Sequence, residues 1–207
     1  MVRMRQAWER LERLDHQVQR SVRRRFGHRR TVDVSRALSW SGEHAAAWIA
    51  LGLGGAMLDS GRQRNWLRAT GTVVGAHLVS MAVKRAVRRP RPGGRGLEPL
   101  VRTAGRHSFP SSHATSSAAA AVAFAPLLPA VVIRPVAGAV CFSRLVVGVH
   151  YLSDVVAGAA LGAAIAAAGR WWTTGCSWTI GRSWPAAGRA STGRRRTPAA
   201  GQAARLH

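Results

Sequence analysis

The sequence has little lysine, few acids and little cysteine. Lys84 is the single lysine beside 30 arginines. Arginine used nearly everywhere is the habit of a GC-rich genome, and the lone lysine stands out against it. Asp and Glu number only 8, too few for a carboxylate-rich metal site, and no metal or other cofactor is expected. The two cysteines, Cys141 in an apolar stretch and Cys176 near the C-terminus, make neither a metal-ligand spacing nor a disulfide framework. The first 40 residues lack the short apolar core and small-residue cleavage site of a secretory leader. No internal repeat is present.

What is there pulls in two directions. The net charge is +23, yet 47% of residues are hydrophobic. A soluble domain this basic would point to nucleic acid. Here the charge is segregated, with oily stretches between arginine clusters, as in a membrane protein with basic margins. No nucleic-acid partner is expected.

Residues 3–26 read as an amphipathic helix, with Trp8, Leu11, Leu14, Val18 and Val22 at three- and four-residue steps and arginines between them. Such a helix suits an anionic lipid surface; the alternative is a solvated helix packing one face on the domain. Five oily stretches follow, at 44–58, 66–83, 114–128, 130–149 and 152–169. Several fall short of the roughly 20 residues that span a hydrocarbon core, but five in one chain favour a membrane bundle over a soluble alanine-rich one. Small residues such as Gly158 and Gly162 permit close helix contact. The expected fold is all-α: a polytopic membrane bundle of about five transmembrane helices behind an N-terminal amphipathic helix. The expected division is 1–40 as the interfacial segment, 41–170 as the membrane-embedded unit and 171–207 as a basic tail. The tail carries Trp171, Trp172, Trp178 and Trp184, then Arg194, Arg195 and Arg196, and its last residues have a disordered composition.

Three clusters carry chemistry. The first runs from Lys84 to Arg91 and Pro92, where the second oily stretch ends. A lysine and an arginine seven residues apart can reach one anion if the helix unwinds at the prolines, the lysine as a point charge and the arginine as a planar fork. Arginines at a membrane edge can equally just mark topology. The second is Ser108 to Ala114. Pro110, Ser111 and Ser112 suit a helix start, whose free N–H groups and dipole favour an anion, with His113 beside it. The alternative is a plain cap followed by an interfacial histidine. The third runs from Ser143 and Arg144 to His150 and Asp154. An arginine set in an apolar stretch is costly and normally functional. His150 and Asp154, four apart, share a face on a helical turn, so the carboxylate can hold one imidazole nitrogen and leave the other free to attack. A buried Arg–Asp pair beside a structural histidine would look the same. With five spans, all three clusters fall on one membrane side.

These residues resemble the type 2 phosphatidic acid phosphatase (PAP2) family, whose pattern is K-x6-R-P, then P-S-G-H, then S-R-x5-H-x3-D. This chain has Lys84-x6-Arg91-Pro92, Pro110-Ser111-Ser112-His113 and Ser143-Arg144-x5-His150-x3-Asp154, in order and over about residues 40–170. Ser112 stands where the family often has glycine; a small residue is kept. The run Ser41–His44 and the string SFPSSHAT further resemble an actinobacterial branch that includes decaprenylphosphoryl-phosphoribose phosphatases.

The resemblance implies metal-independent hydrolysis of a lipid phosphomonoester or diphosphate at a multi-pass cell-membrane protein. It implies that His150 attacks phosphorus, that Asp154 supports it, and that His113 protonates the leaving oxygen and then activates water. Lys84, Arg91, Arg144 and the backbone at Ser111 and Ser112 would hold the oxygens. The substrate could be phosphatidic acid, a polyprenyl diphosphate, a polyprenyl-phosphoribose or phosphatidylglycerol phosphate. A vanadate haloperoxidase would use a similar pocket but is soluble. A non-catalytic binder of anionic lipid or nucleic acid would not need His113, His150 and Asp154 intact. The first 36 residues hold 11 Arg against 4 acids, which favours a cytoplasmic catalytic face, but the basic tail pulls the other way and leaves the side open. Oligomeric state is unread.

Overall fold

The computed structural model describes residues 2–41, 45–93, 98–101, 103 and 105–180. Among them are seven α-helices: α1 Val2–Phe26, α2 Arg29–Ser41, α3 Ala46–Leu58, α4 Gln63–Val87, α5 Ser112–Ala123, α6 Ala130–Val146 and α7 Leu152–Ile180. The all-helical expectation holds, and each of the five oily stretches contains one helix, α3 to α7. The stretch from 171 to 180 continues α7 as backbone helix; the remaining expectations for the tail, Trp184 and Arg194 to Arg196, lie outside the described residues.

Helix α5 is the hub. It packs against α3, α4, α6 and α7, and alanine lets those neighbours come close. Its hydroxyls would be a burden in such a place, but they bond back along the helix, Thr115 Oγ1 to the Ser111 carbonyl at 3.0 Å and Ser116 Oγ to the Ser112 carbonyl at 3.0 Å. Ser117 Oγ accepts from Trp48 Nε1 at 3.1 Å. A Cβ on Gly162 would meet the Thr115 carbonyl oxygen at 2.0 Å, and one on Gly158 the Ser111 carbonyl oxygen at 2.6 Å. The two glycines therefore set the α5–α7 approach, as expected from the small-residue stripe.

The core divides along the bundle. At one end Trp48, Trp66, Val73, Phe124 and Ile133 cluster; nearer the other end lie Val22, Val32, Leu145, Val146 and Val155. The first end is tied by Asp59, which accepts from Arg62 Nε at 2.7 Å and Trp66 Nε1 at 3.2 Å and so closes the α3–α4 turn. Many large apolar side chains face outward instead, among them Leu51, Met57, Leu58, Leu78, Val131, Val136 and Val156. An outward apolar belt of this kind marks a surface that meets something other than water.

Among the described residues one helix segment, Leu152–Arg170, is long and apolar enough by itself to cross a membrane, at 19 residues and mean hydropathy 1.6. The expectation of five such spans meets a physical obstacle in length. At 1.5 Å per residue, α3 with 13 residues and α5 with 12 reach only about 20 and 18 Å. α4 has the length, but its ends carry Arg64, Arg68, Lys84 and Arg85.

The N-terminal segment holds more than one amphipathic helix. A second helix, α2, follows the first. Along α1 the apolar stripe divides: Val22 is buried, Leu11 and Val18 are half-buried, and Trp8 and Leu14 are exposed, while Asp15 and Gln19 are buried beside them. α1 packs against α6 and α7 and α2 against α6, so both lie over the end of the bundle where those helices meet.

Candidate active site

The loop after α4 builds one wall. Arg88 ends the helix in a left-handed conformation (φ 55°), its N–H donating to the Lys84 carbonyl at 3.1 Å. The chain then runs extended through Pro90, which pairs with His107, and Ser108 N–H donates to the Arg89 carbonyl at 2.7 Å. Lys84 is left buried in the last turn of α4, and Arg91 is turned back inward. Arg91 donates from Nε to the Gly105 carbonyl at 2.8 Å and from Nη1 to the Val149 carbonyl at 3.0 Å.

The second wall is the start of α5. Ser111 is the N-cap, its Oγ accepting from Ala114 N–H. Its own N–H donates to the Asp154 carbonyl at 3.0 Å. The Ser111 N–H is thus occupied in holding α5 to α7 and is not open to a phosphate oxygen, as its expected part would need. The first N–H groups of a helix have no intrahelical acceptor, so Ser112 and His113 are the backbone donors this helix start offers. His113 Nε2 lies 3.0 Å from the Ser39 carbonyl. A carbonyl only accepts, so Nε2 carries the proton and Nδ1 is the nitrogen free to exchange one.

The third wall comes from α6 and α7. Arg144 is buried in the last turn of α6 and donates to Ser39 Oγ of α2. The chain turns through Gly148, whose φ of 74° favours glycine, and reaches His150, 1% exposed. His150 lies in the turn before α7, not on a helical face shared with Asp154 as anticipated. Asp154 reaches back instead, its Oδ2 accepting from Tyr151 N–H at 2.9 Å, as an acid in the first helical turn does in a capping box. His150 Nδ1 stands 3.7 Å from Asp154 Oδ2, longer than a hydrogen bond. Nε2 faces Arg91 Nη1 at 3.4 Å. A guanidinium only donates, so this Nε2 carries its lone pair and the tautomer is Nδ1–H. Burial, together with the charges of Arg144, Arg91 and Lys84, holds the His150 pKa well below the usual imidazole range, the Ser108 backbone acting weakly the other way.

The structure therefore brings Lys84, Arg91, Ser112, His113, Arg144, His150 and Asp154 to one end of the bundle. His113 lies within electrostatic reach of Arg144, His150 and Lys84. It also adds residues that the sequence reading missed. Arg89 bridges Asp154 Oδ1 and Asp15 Oδ2, each at 2.8 Å, so Asp154 is ion-paired with Arg89. Four cations, Lys84, Arg89, Arg91 and Arg144, gather here with two carboxylates, Asp15 and Asp154. Lys84, Arg91 and Arg144 carry the sign of charge that the oxygens of a phosphate call for. Among the described residues no three His, Cys, Asp or Glu side chains form a metal-holding group.

A histidine with an unprotonated ring nitrogen beside arginine and lysine side chains, at the end of a helical bundle, has the chemistry that phosphoryl transfer asks for. The profile of the PAP2 superfamily matches residues 65–178, and the chain belongs to that family and is one of its phosphatases, which hydrolyse phosphoric esters without a metal ion. The chain is 44% identical over 128 residues to decaprenylphosphoryl-5-phosphoribose phosphatase of Mycolicibacterium smegmatis, covering 60% of this chain and 69% of that one. It is 42% identical over 137 residues to the phosphatase of the same name from Mycobacterium tuberculosis, covering 64% and 75%. The transmembrane PAP2-type phosphatidylglycerolphosphate phosphatase of Bacillus subtilis has the same fold, with a TM-score of 0.66 at 20% identity over 84% of this chain and 89% of that one.

Proposed function

We propose that this protein is a multi-pass cell-membrane phosphatase that removes the terminal phosphate from a polyprenyl-phosphoribose through a phosphohistidine on His150. The observation that carries the chemistry is the single bundle end where His150 Nε2, unprotonated, faces Arg91, with Lys84 and Arg144 close by. The substrate class is favoured by the identity to two decaprenylphosphoryl-5-phosphoribose phosphatases. The outward apolar belt supports membrane embedding. In this reading residues 41–170 form the membrane-embedded unit, 1–40 the segment over its catalytic end and 171–207 the tail. Helices too short to span alone lie beside longer ones in the bundle.

In the first step His150 Nε2 attacks phosphorus in line as the bond to the ester oxygen breaks. His113 takes up a proton at Nδ1 as the dianionic ester binds beside it, and gives that proton to the departing oxygen. In the second step water attacks the phosphohistidine, His113 takes its proton, and inorganic phosphate leaves. Lys84, Arg91, Arg144 and the N–H groups at the α5 start hold the three spectator oxygens. Phosphoryl transfer asks for little beyond such positioning and charge neutralisation.

The test is phosphate release by detergent-purified wild type and His150→Ala, with EDTA present, over phosphatidic acid, a polyprenyl diphosphate, phosphatidylglycerol phosphate and a polyprenyl-phosphoribose phosphate. Wild type alone should release phosphate, fastest from the last. Preference for another lipid would overturn the substrate class. Normal release by His150→Ala would overturn the mechanism, and loss of activity in EDTA restored by Mg²⁺ would show a metal-dependent catalyst.

A further inference from the structure

We infer that Asp15, on the N-terminal helix, is a positioning residue of the catalytic centre that acts through Arg89 and Ser153 to hold Asp154 beside His150. The inference rests on the phosphatase reading above and adds to it a residue well outside the segment 65–178 that the family profile matches.

Asp15 is 2% exposed on a helix otherwise rich in arginine. It occupies an inward position between Leu11 and Val18, where periodicity calls for an apolar side chain. Removing a carboxylate from water is costly unless it is paired and fully hydrogen-bonded, and both conditions are met. Oδ2 accepts from Arg89 Nη2 at 2.8 Å and from Ser153 Oγ at 2.5 Å, and Oδ1 accepts from Ser153 N–H at 3.0 Å. The last bond caps α7 from another helix, at its positive end.

The same two partners touch Asp154. Arg89 Nη1 lies 2.8 Å from Asp154 Oδ1 and 2.7 Å from Ser153 Oγ, and Ser153 precedes Asp154 in the chain. The guanidinium is also stacked over the Tyr151 ring, 4.4 Å from its centroid. Arg89 is therefore fixed on several sides, and the carboxylate it presents to the His150 Nδ1 side is fixed with it. The electrostatics agree. Arg89 opposite Asp154 alone would be a neutral pair; with Asp15 the group carries a net negative charge. Its nearest part, Asp154 Oδ2, lies 3.7 Å from His150 Nδ1, beside the imidazole that becomes more positive as Nε2 bonds to phosphorus. Asp15 thus favours the transition state over the resting site, while the phosphate-holding cations Lys84, Arg91 and Arg144 are untouched.

The test compares wild type, Asp15→Asn, Arg89→Gln, the double variant and Glu9→Gln, an exposed acid on the same helix, by phosphate release and by melting temperature. Asp15→Asn keeps the shape and removes the charge. Its kcat should fall by about 10–100-fold, the usual scale of a small misplacement at a reacting group, with KM within about twofold of wild type and Glu9→Gln unchanged. Because Arg89 alone joins the Asp15 carboxylate directly to that of Asp154, the double variant should be no slower than Arg89→Gln, which leaves two buried carboxylates facing each other. Normal kcat in a folded Asp15→Asn, or losses that simply multiply in the double variant, would overturn the inference and leave the phosphatase reading standing. A wild type that releases no phosphate from any lipid phosphate would overturn both.

Discussion

At the scale of single residues, the chemistry depends on which nitrogen of His150 is free. Arg91 can only donate, so it selects the tautomer with a lone pair on Nε2. Burial, with the surrounding positive charge, keeps that lone pair from being protonated. The sign of the pH effect follows. His150 binds a proton less readily folded than unfolded. Its contribution to stability is therefore complete above the unfolded imidazole value of about 6.5 and is lost as pH falls below it toward the folded value. Melting temperature in detergent should drop between pH 7 and pH 5 by less in His150→Gln than in wild type; equal slopes would show that His150 is not the buried neutral group described. Lys84 invites a second test. Lys84→Arg replaces a compact charge by a planar fork in a buried slot, and KM should rise about tenfold, the scale of one lost charge-assisted hydrogen bond. Unchanged KM and kcat would mark the lone lysine as incidental. Lys84, Arg91, His113, Arg144, His150 and Asp154 were picked out by motif spacing, and all of them lie at or beside the ends of helices α4 to α7. Asp15, Ser39 and Arg89 were not, because their roles arise from tertiary contacts between segments far apart in the chain. Asp15 alone left a trace, an acid set in an apolar helical stripe.

At the scale of elements, oily stretches marked where the helices lie but not where they end. α5 stops at Ala123 although the apolar stretch runs on, because Pro126 and Pro129 follow. Conversely, α6 runs on through Pro135, its sixth residue, although that proline forgoes the bond to the Val131 carbonyl. The α5–α7 contact was legible, because glycine four residues apart reports close backbone approach. It yields a paired prediction. Gly162→Ala places a Cβ against the Thr115 carbonyl at 2.0 Å, whereas a Cβ on Gly138 meets nothing within 4 Å. Gly162→Ala should lower the melting temperature strongly, with overpacking costing about 1–3 kcal/mol or more. Gly138→Ala should be neutral or stabilise by about 0.4–1 kcal/mol. Equal effects would mean that the two helices do not meet at Gly162.

At the scale of the whole molecule, the two ends of the bundle differ in kind. One end is closed by an ordinary turn at Asp59; the other collects the ends of α4 and α6, the starts of α5 and α7, and the cover formed by α1 and α2. The alternation of helix directions alone places these four helix ends together, which is why the convergence could be anticipated from the order of the motifs. The cover could not, since nothing in an amphipathic pattern says whether its inward face meets lipid or protein. The central claim is that phosphate passes through His150. The direct measurement is rapid acid-free quenching of the enzyme with a lipid substrate labelled in its terminal phosphate, followed by peptide mapping. The account predicts an alkali-stable, acid-labile label on the peptide carrying His150, formed and lost at rates compatible with turnover and absent in His150→Ala. Full turnover with no label on that peptide, or label on another residue, would contradict it.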